Sequence, residues 1–503
     1  MVHPQNRGDR MAQQIEGLDL SRVGVVDVGS NSVRLVVFDG AARSPAYFFN
    51  EKVLCGLGAG VAKTGRLNPA GRRSALSTLR RFVALAERMQ VTSLTGLATA
   101  AVREAEDGPD FVAEVARVTG LELQVVEGVE EARLAAQGVL VGWPDAVGLT
   151  VDIGGASMEL ARVHGGRIGT CVTSKLAPLS LADLDVEARE QVIADTLDDL
   201  RGKLPGRVEE MFLVGGSWRA IASLHMARTN YPLNVLHAYE VAPSALMETV
   251  DWAIGGDVAT FSEIVTTSEA RLALVPLAAQ VLRQLILRFE PERIAVSSYG
   301  LREGALYELM SPEARQLDPL IEACRHMEIA AARFPGFGEA LHEWVRPLFE
   351  LEDETTLRLI HAACLLHDVN WRTHPDFRPT ASFESVTRAN LGGISHRGRV
   401  MLGLILANRY KSGRRARPDA ALLELLSQDD IRVAETAGRA LRLGAMLTGA
   451  SVDALRQSQL ILSDTELVLT LDGTMAALRG EVVDKRLAKL AANMGREPRI
   501  ELV

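Results

Sequence analysis

The stretch "VGVVDVGSNSVRLVVFDG", residues 23–40, interrupts two valine-rich runs with Asp-Val-Gly-Ser-Asn-Ser. Val and Leu on either side read as β-strands. The small polar residues between them read as a tight turn, with Gly29 free to take backbone angles that other residues avoid. Ordinary hairpins use such turns, so a second stretch decides the fold. Residues 151–165, "VDIGGASMELARVHG", lie under residues 26–40, "VDVGSNSVRLVVFDG", without a gap. Asp27 pairs with Asp152, Gly29 with Gly154, Ser32 with Ser157, Leu35 with Leu160 and Gly40 with Gly165, at a constant offset of 125 (152 − 27). An internal repeat implies two related halves, each opening a turn lined with Gly, Ser and one Asp.

Working outward, "RRSALSTLRRFVALAERMQ" (72–90) carries helical periodicity, and "VTSLTGLATAAVREA" reads as a strand running into a helix. "LELQVVEG" is a strand and "VEEARLAAQGVL" a helix leading into the second repeat. Beyond it, "EMFLVGGSWRAIASLH" turns from strand to helix at Gly215-Gly216, and "RIAVSSYGLREGALYELM" repeats that pattern. Alternating strands and helices indicate an α/β fold. From about residue 311 the chain becomes mainly helical and holds six of the ten histidines. From about 430 a smaller α/β unit is expected, with the hairpin "QLILSDTELVLTLDG", the helix "EVVDKRLAKLAANMG" and a last strand "RIELV".

At 503 residues the chain is too long for one core, and two to four domains are expected. A net charge of −9 argues against sequence-independent nucleic-acid binding, which needs a basic face. Cys55, Cys171, Cys324 and Cys364 are widely spaced with no CxxC pair, which fits free thiols in a reducing compartment. The first twenty residues have no apolar core and read as a disordered tail, not a signal peptide. "VMLGLILA" (400–407) is too short to span a membrane. The expectation is a soluble cytoplasmic protein with no membrane insertion.

The paired turns carry the chemistry. Backbone N–H groups in a Gly/Ser-rich turn bind anionic oxygens, and Ser32 and Ser157 add hydroxyl donors. Asp27 and Asp152 repel phosphate but can hold a divalent cation that binds it. Two such turns facing across a cleft would clamp a phosphate chain from both sides.

"DVGSNSVRL", "ATAAVREA", "GVEEARLAAQGV", "DIGGASMEL", "GGSWRAIA" and "GLREGAL" follow one another in this order. Together they closely resemble the exopolyphosphatase / guanosine pentaphosphate phosphohydrolase family, and its bacterial exopolyphosphatases above all. That family belongs to the actin-like ATPase superfamily of sugar kinases, acetate kinase and heat-shock proteins. The resemblance covers residues 23 to about 310. It implies two actin-like, ribonuclease H-like lobes over 21–136 and 137–310. Residues 311–428 resemble the helical, HD-like domain of the family's longer members, and 429–503 form the small α/β domain.

The resemblance also implies roles. Gly29, Ser30, Asn31 and Ser32 would form the first phosphate turn, and Gly154, Gly155, Ala156 and Ser157 the second. Asp27, Asp152 and Glu159 would hold Mg²⁺ or another divalent cation, with Asp152 also among the catalytic groups. Arg103 matches the family's phosphate-binding arginine, and Glu131 the glutamate that activates water. Independently, a hydrolase needs a carboxylate near the phosphate turns to orient water, and an arginine fork suits equatorial phosphoryl oxygens. Glu130, about 100° from Glu131 on a helix, is expected to be a solvated acid. Two departures stand out. Ala156 replaces a third Gly, which is tolerable only with negative φ. "GGSWRAIA" has Ser217 for Thr, with Trp218 and Arg219 where the superfamily's kinases seat adenosine.

"LLHDVNW" (365–371) resembles the His-Asp pair of metal-dependent HD phosphohydrolases, with His326, His342 and His361 upstream and Asp376 downstream. His361 and His367 lie about 240° apart on a helix and share no face. The family's version of this domain generally lacks a working metal site, so His367 and Asp368 are expected to be a buried polar pair. Arg397, Arg399, Arg409, Lys411, Arg414, Arg415 and Arg417 are candidates for an electropositive polyphosphate track.

The activity implied is processive removal of terminal orthophosphate from inorganic polyphosphate, in a homodimer. The nearest rival is hydrolysis of the 5′-γ-phosphate of guanosine pentaphosphate, with the tetraphosphate a related ligand. Phosphotransfer to a small acceptor, or non-catalytic sensing of polyphosphate or alarmone nucleotides, are further alternatives.

Overall fold

The computed structural model describes residues 21–410 and 419–503. The chain forms two compact units: residues up to Tyr231 with Leu236–Leu317, and Asp318–Val503 with Pro232–Val235.

The first unit contains two sheets that repeat one topology. In the first, β1 (Val23–Val28), β2 (Ser32–Phe38) and β3 (Tyr47–Leu54) form an antiparallel meander, and β4 (Ser93–Ala98) and β5 (Leu123–Val125) continue it in parallel, in the order β3-β2-β1-β4-β5. The second contains β6 (Val147–Ile153), β7 (Met158–His164), β8 (Arg167–Ser174), β9 (Glu210–Val214), β10 (Tyr239–Val241) and β11 (Arg293–Ser297), in the order β10-β11-β9-β6-β7-β8. The repeat holds in register: Asp27 lies opposite Arg34 across β1/β2, and Asp152 opposite Glu159 across β6/β7.

The valine runs are continuous because the first sheet is covered on both faces. Val26 and Val28 pack with Leu79, Phe82 and Phe111 on one side. Val23 and Val25 pack with Leu134, Ala305 and Leu306 on the other. The latter come from the helices Gly128–Gly142 and Leu301–Leu309. Gly128–Gly142 is one continuous helix, so the expected boundary at 136/137 falls inside it.

These two helices cross at a separation that only glycine permits. A methyl on Gly304 would lie 1.8 Å from the carbonyl oxygen of Leu134, and one on Gly138 would lie 2.2 Å from that of Gly300. The interlock is reciprocal, each helix burying a glycine against the other's backbone.

In the second unit, helices Pro319–Ala331, Phe337–Val345, Glu354–Leu366, Arg378–Thr387, His396–Tyr410 and Gln428–Thr448 are followed by a small sheet. Its strands β12 (Ser458–Leu462), β13 (Glu466–Leu471) and β14 (Glu497–Leu502) form the expected hairpin and last strand. Among the described residues one stretch, Glu269–Phe289, is long and apolar enough to cross a membrane by length and composition, and half of it is buried inside the chain. Its Val275, Leu282 and Leu285 are part of the second sheet's core.

Gly304→Ala is expected to destabilise the protein by at least about 1–3 kcal/mol, because overpacking against a backbone carbonyl cannot be relieved by a rotamer change. Urea denaturation measures this; stability equal to wild type would show that the helices separate freely.

Candidate active site

The two repeated turns are built alike. The Gly29 N–H donates to the Ser32 carbonyl at 3.0 Å, and the Gly154 N–H donates to that of Ser157 at 2.9 Å. Their tips converge: a methyl on Gly155 would lie 3.9 Å from Ser30 Cβ. Asp27, Gly29, Ser30, Asn31 and Ser32 line the same cleft as Asp152, Gly154, Gly155, Ala156, Ser157 and Glu159. The cleft lies at the carboxyl ends of parallel β1, β4, β6 and β9, where open α/β sheets gather ligands.

Two turn expectations resolve differently. Ala156 keeps a negative φ, so its methyl is tolerated. Gly29 does not use the left-handed region either, and a methyl there would meet only the Ser32 carbonyl, at 3.5 Å. Conformational freedom therefore does not explain Gly29. Gly215 is the glycine that needs it: φ is +117°, and a methyl would lie 2.5 Å from the Ile153 carbonyl and 3.1 Å from Asp152 Oδ1.

Glu131 projects from the first turn of Gly128–Gly142 into the cleft. Arg103, on the short helix Ala100–Glu104 after β4, donates from Nη1 to Glu131 Oε2 at 3.1 Å and to the Val126 carbonyl at 2.6 Å. In this structure Arg103 thus tethers Glu131. Burial pushes the Glu131 carboxyl up to about 7; Arg103 opposes this, while the charges of Asp152 and Asp27 add to it. Glu130 is half-buried and accepts from Arg133 Nε at 2.7 Å, away from the residues that line the cleft.

Asp152 is pushed up to about 6 by burial, against the opposing charges of Arg219 and Arg302. Glu159 is nearly inaccessible, accepts from the Thr173 hydroxyl at 3.1 Å, and is raised well above the usual carboxylate range by burial and then by Glu131 and Asp152.

Cations stand among these acids. Arg302 donates from Nη1 to Asp27 Oδ2 at 2.8 Å, and its buried Nε has no partner among the described residues. Arg219 and Arg271 line the cleft, as does Lys52 from β3. Burial and then the charges of Arg302 and Arg271 lower Arg219 to about 10. Lys52 is lowered by burial and then by Arg271 and Arg34. Such mutual repulsion is relieved by a polyanion. Trp218 does not obstruct the cleft: it is fully buried and donates to the Val151 carbonyl at 3.2 Å. The sequence reading assigned no role to Arg302, Arg271 or Lys52. Arg302 could have been found, because it stands in the quoted "GLREGAL".

The cleft's acids fit a hard divalent cation. Asp27, Asp152 and Glu159 offer oxygen donors only, and burial holds the last two toward protonation despite Arg219, Arg302 and the Thr173 hydroxyl. Among the described residues, no three of these acids bring ligating oxygens within 4.8 Å of one another. Mg²⁺ suits that spacing, since it takes one or two carboxylates and completes its shell with water and substrate phosphate.

The basic track is not supported by the residues described. Arg399 is buried and donates to the carbonyls of Ala389 and Leu391 at 2.7 Å. Arg397 donates from Nε to Asp430 at 2.8 Å, and Arg409 is buried. Arg397 and Arg399 tie neighbouring segments together, and with Arg409 buried the three do not form an open path. Lys411, Arg414, Arg415 and Arg417 lie outside the described residues. His367 and Asp368 are buried; the His367 ring bonds to the Cys364 carbonyl at 2.9 Å, and Asp368 is gripped by Arg333 with Nε at 2.8 Å. Their geometry is that of a buried polar pair.

Fold and cleft define a class: a two-lobed, actin-like α/β protein whose cleft offers paired Gly/Ser-lined turns, carboxylates and guanidinium groups. Residues 36–313 match the Ppx/GppA phosphatase family, and residues 320–503 match "Exopolyphosphatase, C-terminal". The chain belongs to the Ppx/GppA phosphatase family. It is 35% identical over 143 residues to "Exopolyphosphatase 1" of Mycobacterium tuberculosis, covering 28% of this chain and 42% of that protein. It spans less than half the length of that curated relative. "Retrograde regulation protein 2" of Saccharomyces cerevisiae is 25% identical over 438 residues, covering 77% of this chain and 72% of that protein. An exopolyphosphatase structure from Cytophaga hutchinsonii covers 57% of this chain and 97% of its own, at 22% identity and a TM-score of 0.53. An Aquifex aeolicus Ppx/GppA family member superposes over the same share, at 22% identity and a TM-score of 0.51. Both likenesses concern the fold.

Because the folded-state value of Glu131, about 7, lies above its ordinary 4.5, ionising it penalises the fold. The penalty is absent below about pH 4, grows as pH rises toward 7 and is complete above it. In chelator, Glu131→Gln is expected to be more stable than wild type at pH 8 by up to about 3 kcal/mol, and no more stable at pH 4. Urea denaturation at the two pH values checks this; a variant less stable at pH 8 contradicts it.

Proposed function

We propose that this chain is an exopolyphosphatase that hydrolyses the terminal phosphoanhydride of inorganic polyphosphate, releasing one orthophosphate per event. One observation carries the reading: two repeat-related turns converge on a cleft whose remaining charges are mutually strained acids and cations. A chain of phosphates satisfies both kinds of strain.

The terminal phosphoryl group would sit between the Gly29–Ser32 and Gly154–Ser157 turns. Glu131, fixed by Arg103, would accept a proton from water as its oxygen bonds to phosphorus; the P–O anhydride bond breaks, and the shortened chain leaves as the phosphate anion. A value of about 7 suits a group that must take up a proton at neutral pH. Arg302, Arg219, Arg271 and Lys52 would neutralise the bound chain. A divalent cation on Asp27, Asp152 and Glu159 would supply further neutralisation of the phosphate oxygens.

Bare polyphosphate is favoured over guanosine pentaphosphate by the wall at Gly216. A methyl there would lie 3.3 Å from Arg271 Nε, so a charged group covers the turn that carries adenosine in the superfamily's kinases. This gives that end of the cleft a phosphate donor, not an apolar seat for a base.

Glu131→Gln is expected to lower kcat on long polyphosphate by about 10²- to 10⁴-fold while the binding constant stays within a few-fold. An unchanged kcat removes Glu131 from the mechanism. The substrate class is tested by comparing kcat/KM on long polyphosphate and on guanosine pentaphosphate with Mg²⁺ varied. Polyphosphate is expected to be preferred, with activity lost in chelator; a preference for the nucleotide overturns the assignment.

A further inference from the structure

The second unit holds a group of side chains with different chemistry from the cleft. Glu339 and His342 lie three residues apart on the helix Phe337–Val345, and so share a face. His361 faces them from the helix Glu354–Leu366. One ligand-capable atom of each lies within 4.8 Å of the other two, the only such group of three His, Cys, Asp or Glu side chains among the described residues. His361 Nε2 is 2.8 Å from Glu339 Oε2, and the two imidazoles stack at 4.1 Å with planes 9° apart. Arg325, from the helix Pro319–Ala331, donates from Nη2 to Glu339 Oε1 at 2.8 Å and fixes the carboxylate from behind.

We propose that Glu339, His342 and His361 form a binding site for a divalent first-row transition metal, zinc foremost, that clips two helices of the second unit together. Two imidazole nitrogens and one carboxylate oxygen make up a zinc donor set with a position left for water. Mg²⁺ and Ca²⁺ prefer oxygen alone, so the site differs in kind from the cleft. Arg325 stands where metal sites carry the outer partner that orients a ligating carboxylate. Its side chains are only partly buried: Glu339 is 42% and His361 19% exposed, which leaves a path for the ion. Burial and then His361 hold His342 at about 4, neutral and ready to ligate at physiological pH. Loading requires the ligand atoms to converge and the stacked rings to turn toward the ion, because metal–nitrogen bonds are about 2.0–2.1 Å and lie in the plane of each ring. It also replaces the His361–Glu339 hydrogen bond, with the ring proton carried on Nδ1. This is separate from the His367–Asp368 pair, whose carboxylate Arg333 occupies.

The same geometry would serve a plain hydrogen-bonded helix clamp, and His361→Gln separates the two. Glutamine retains a donor for Glu339 but removes the imidazole ligand. The full chain, stripped with chelator, is titrated with Co²⁺ in excess Mg²⁺, reading visible d–d absorption and, in parallel, the Tm shift with equimolar Zn²⁺. One equivalent of Co²⁺ is expected, displaced by Zn²⁺, with a Zn²⁺-dependent rise in Tm. His361→Gln and His342→Ala are expected to lose the absorption and the Tm response, and Glu339→Gln to weaken binding at least about tenfold. His374→Ala, an exposed control, is expected to match wild type. Far-UV circular dichroism confirms folding, and if His342→Ala does not fold, His361→Gln alone decides. Absence of Co²⁺ absorption in wild type, or the same absorption and Tm response in His361→Gln, overturns the proposal.

Discussion

The contact on which the active site depends is a place where two helices have no side chains between them. Gly138 meets the Gly300 backbone and Gly304 meets that of Leu134. Backbones this close fix both the axial position and the rotation of each helix, because every other side chain along the crossing is placed relative to them. Glu131 sits nearly two turns before Gly138, and Arg302 two residues before Gly304. The interlock therefore sets where the carboxylate and the guanidinium enter the cleft. Covering the first sheet's second face, it also accounts for the unbroken valine runs of β1 and β2.

Around that contact the cleft accepts electrostatic cost. Burial, and then neighbouring acids, push Asp152, Glu159 and Glu131 toward protonation, while burial and then neighbouring cations lower Arg219 and Lys52. Salt bridges between the two sets relieve only part of this, because Arg302 is aimed at Asp27 and Arg103 at Glu131. A surface optimised for folding alone would pair or expose these groups. Groups left strained by burial and like charge are those a phosphate chain and a cation would relax.

The turns were legible in the sequence because duplication marks them twice, and a repeat without gaps preserves register. The small sheet was legible through its alternating hairpin and final strand. The site's cations were legible only in part, through Arg103 and the Arg302 of "GLREGAL". Arg271 and Lys52 reach the cleft from the short helix Glu269–Leu272 and an edge strand, and no periodicity announces such convergence. The reason offered for Gly29 failed because a glycine-rich turn can close in ordinary φ space. Of the basic track, only the described part can be read: arginines of a helical domain are as readily spent on carbonyls and carboxylates, as Arg399 and Arg397 are, as on solvent.

The repeat is informative where it breaks. Arg34 and Glu159 occupy equivalent positions, directly across the hairpin from Asp27 and Asp152. In the first lobe the aspartate faces a cation and is further held by Arg302; in the second it faces a buried acid. Two symmetric lobes would give a cleft of uniform charge, indifferent to the polarity of the bond between them. The exchange of Arg34 for Glu159 instead leaves the two halves unlike: Glu159 lines the cleft, whereas Arg34 donates to Asn50 on the neighbouring strand. Under the proposed function, a cation held by the second lobe's acids would bear on one side of the phosphoanhydride, so divergence at this one pair would give the cleft a direction.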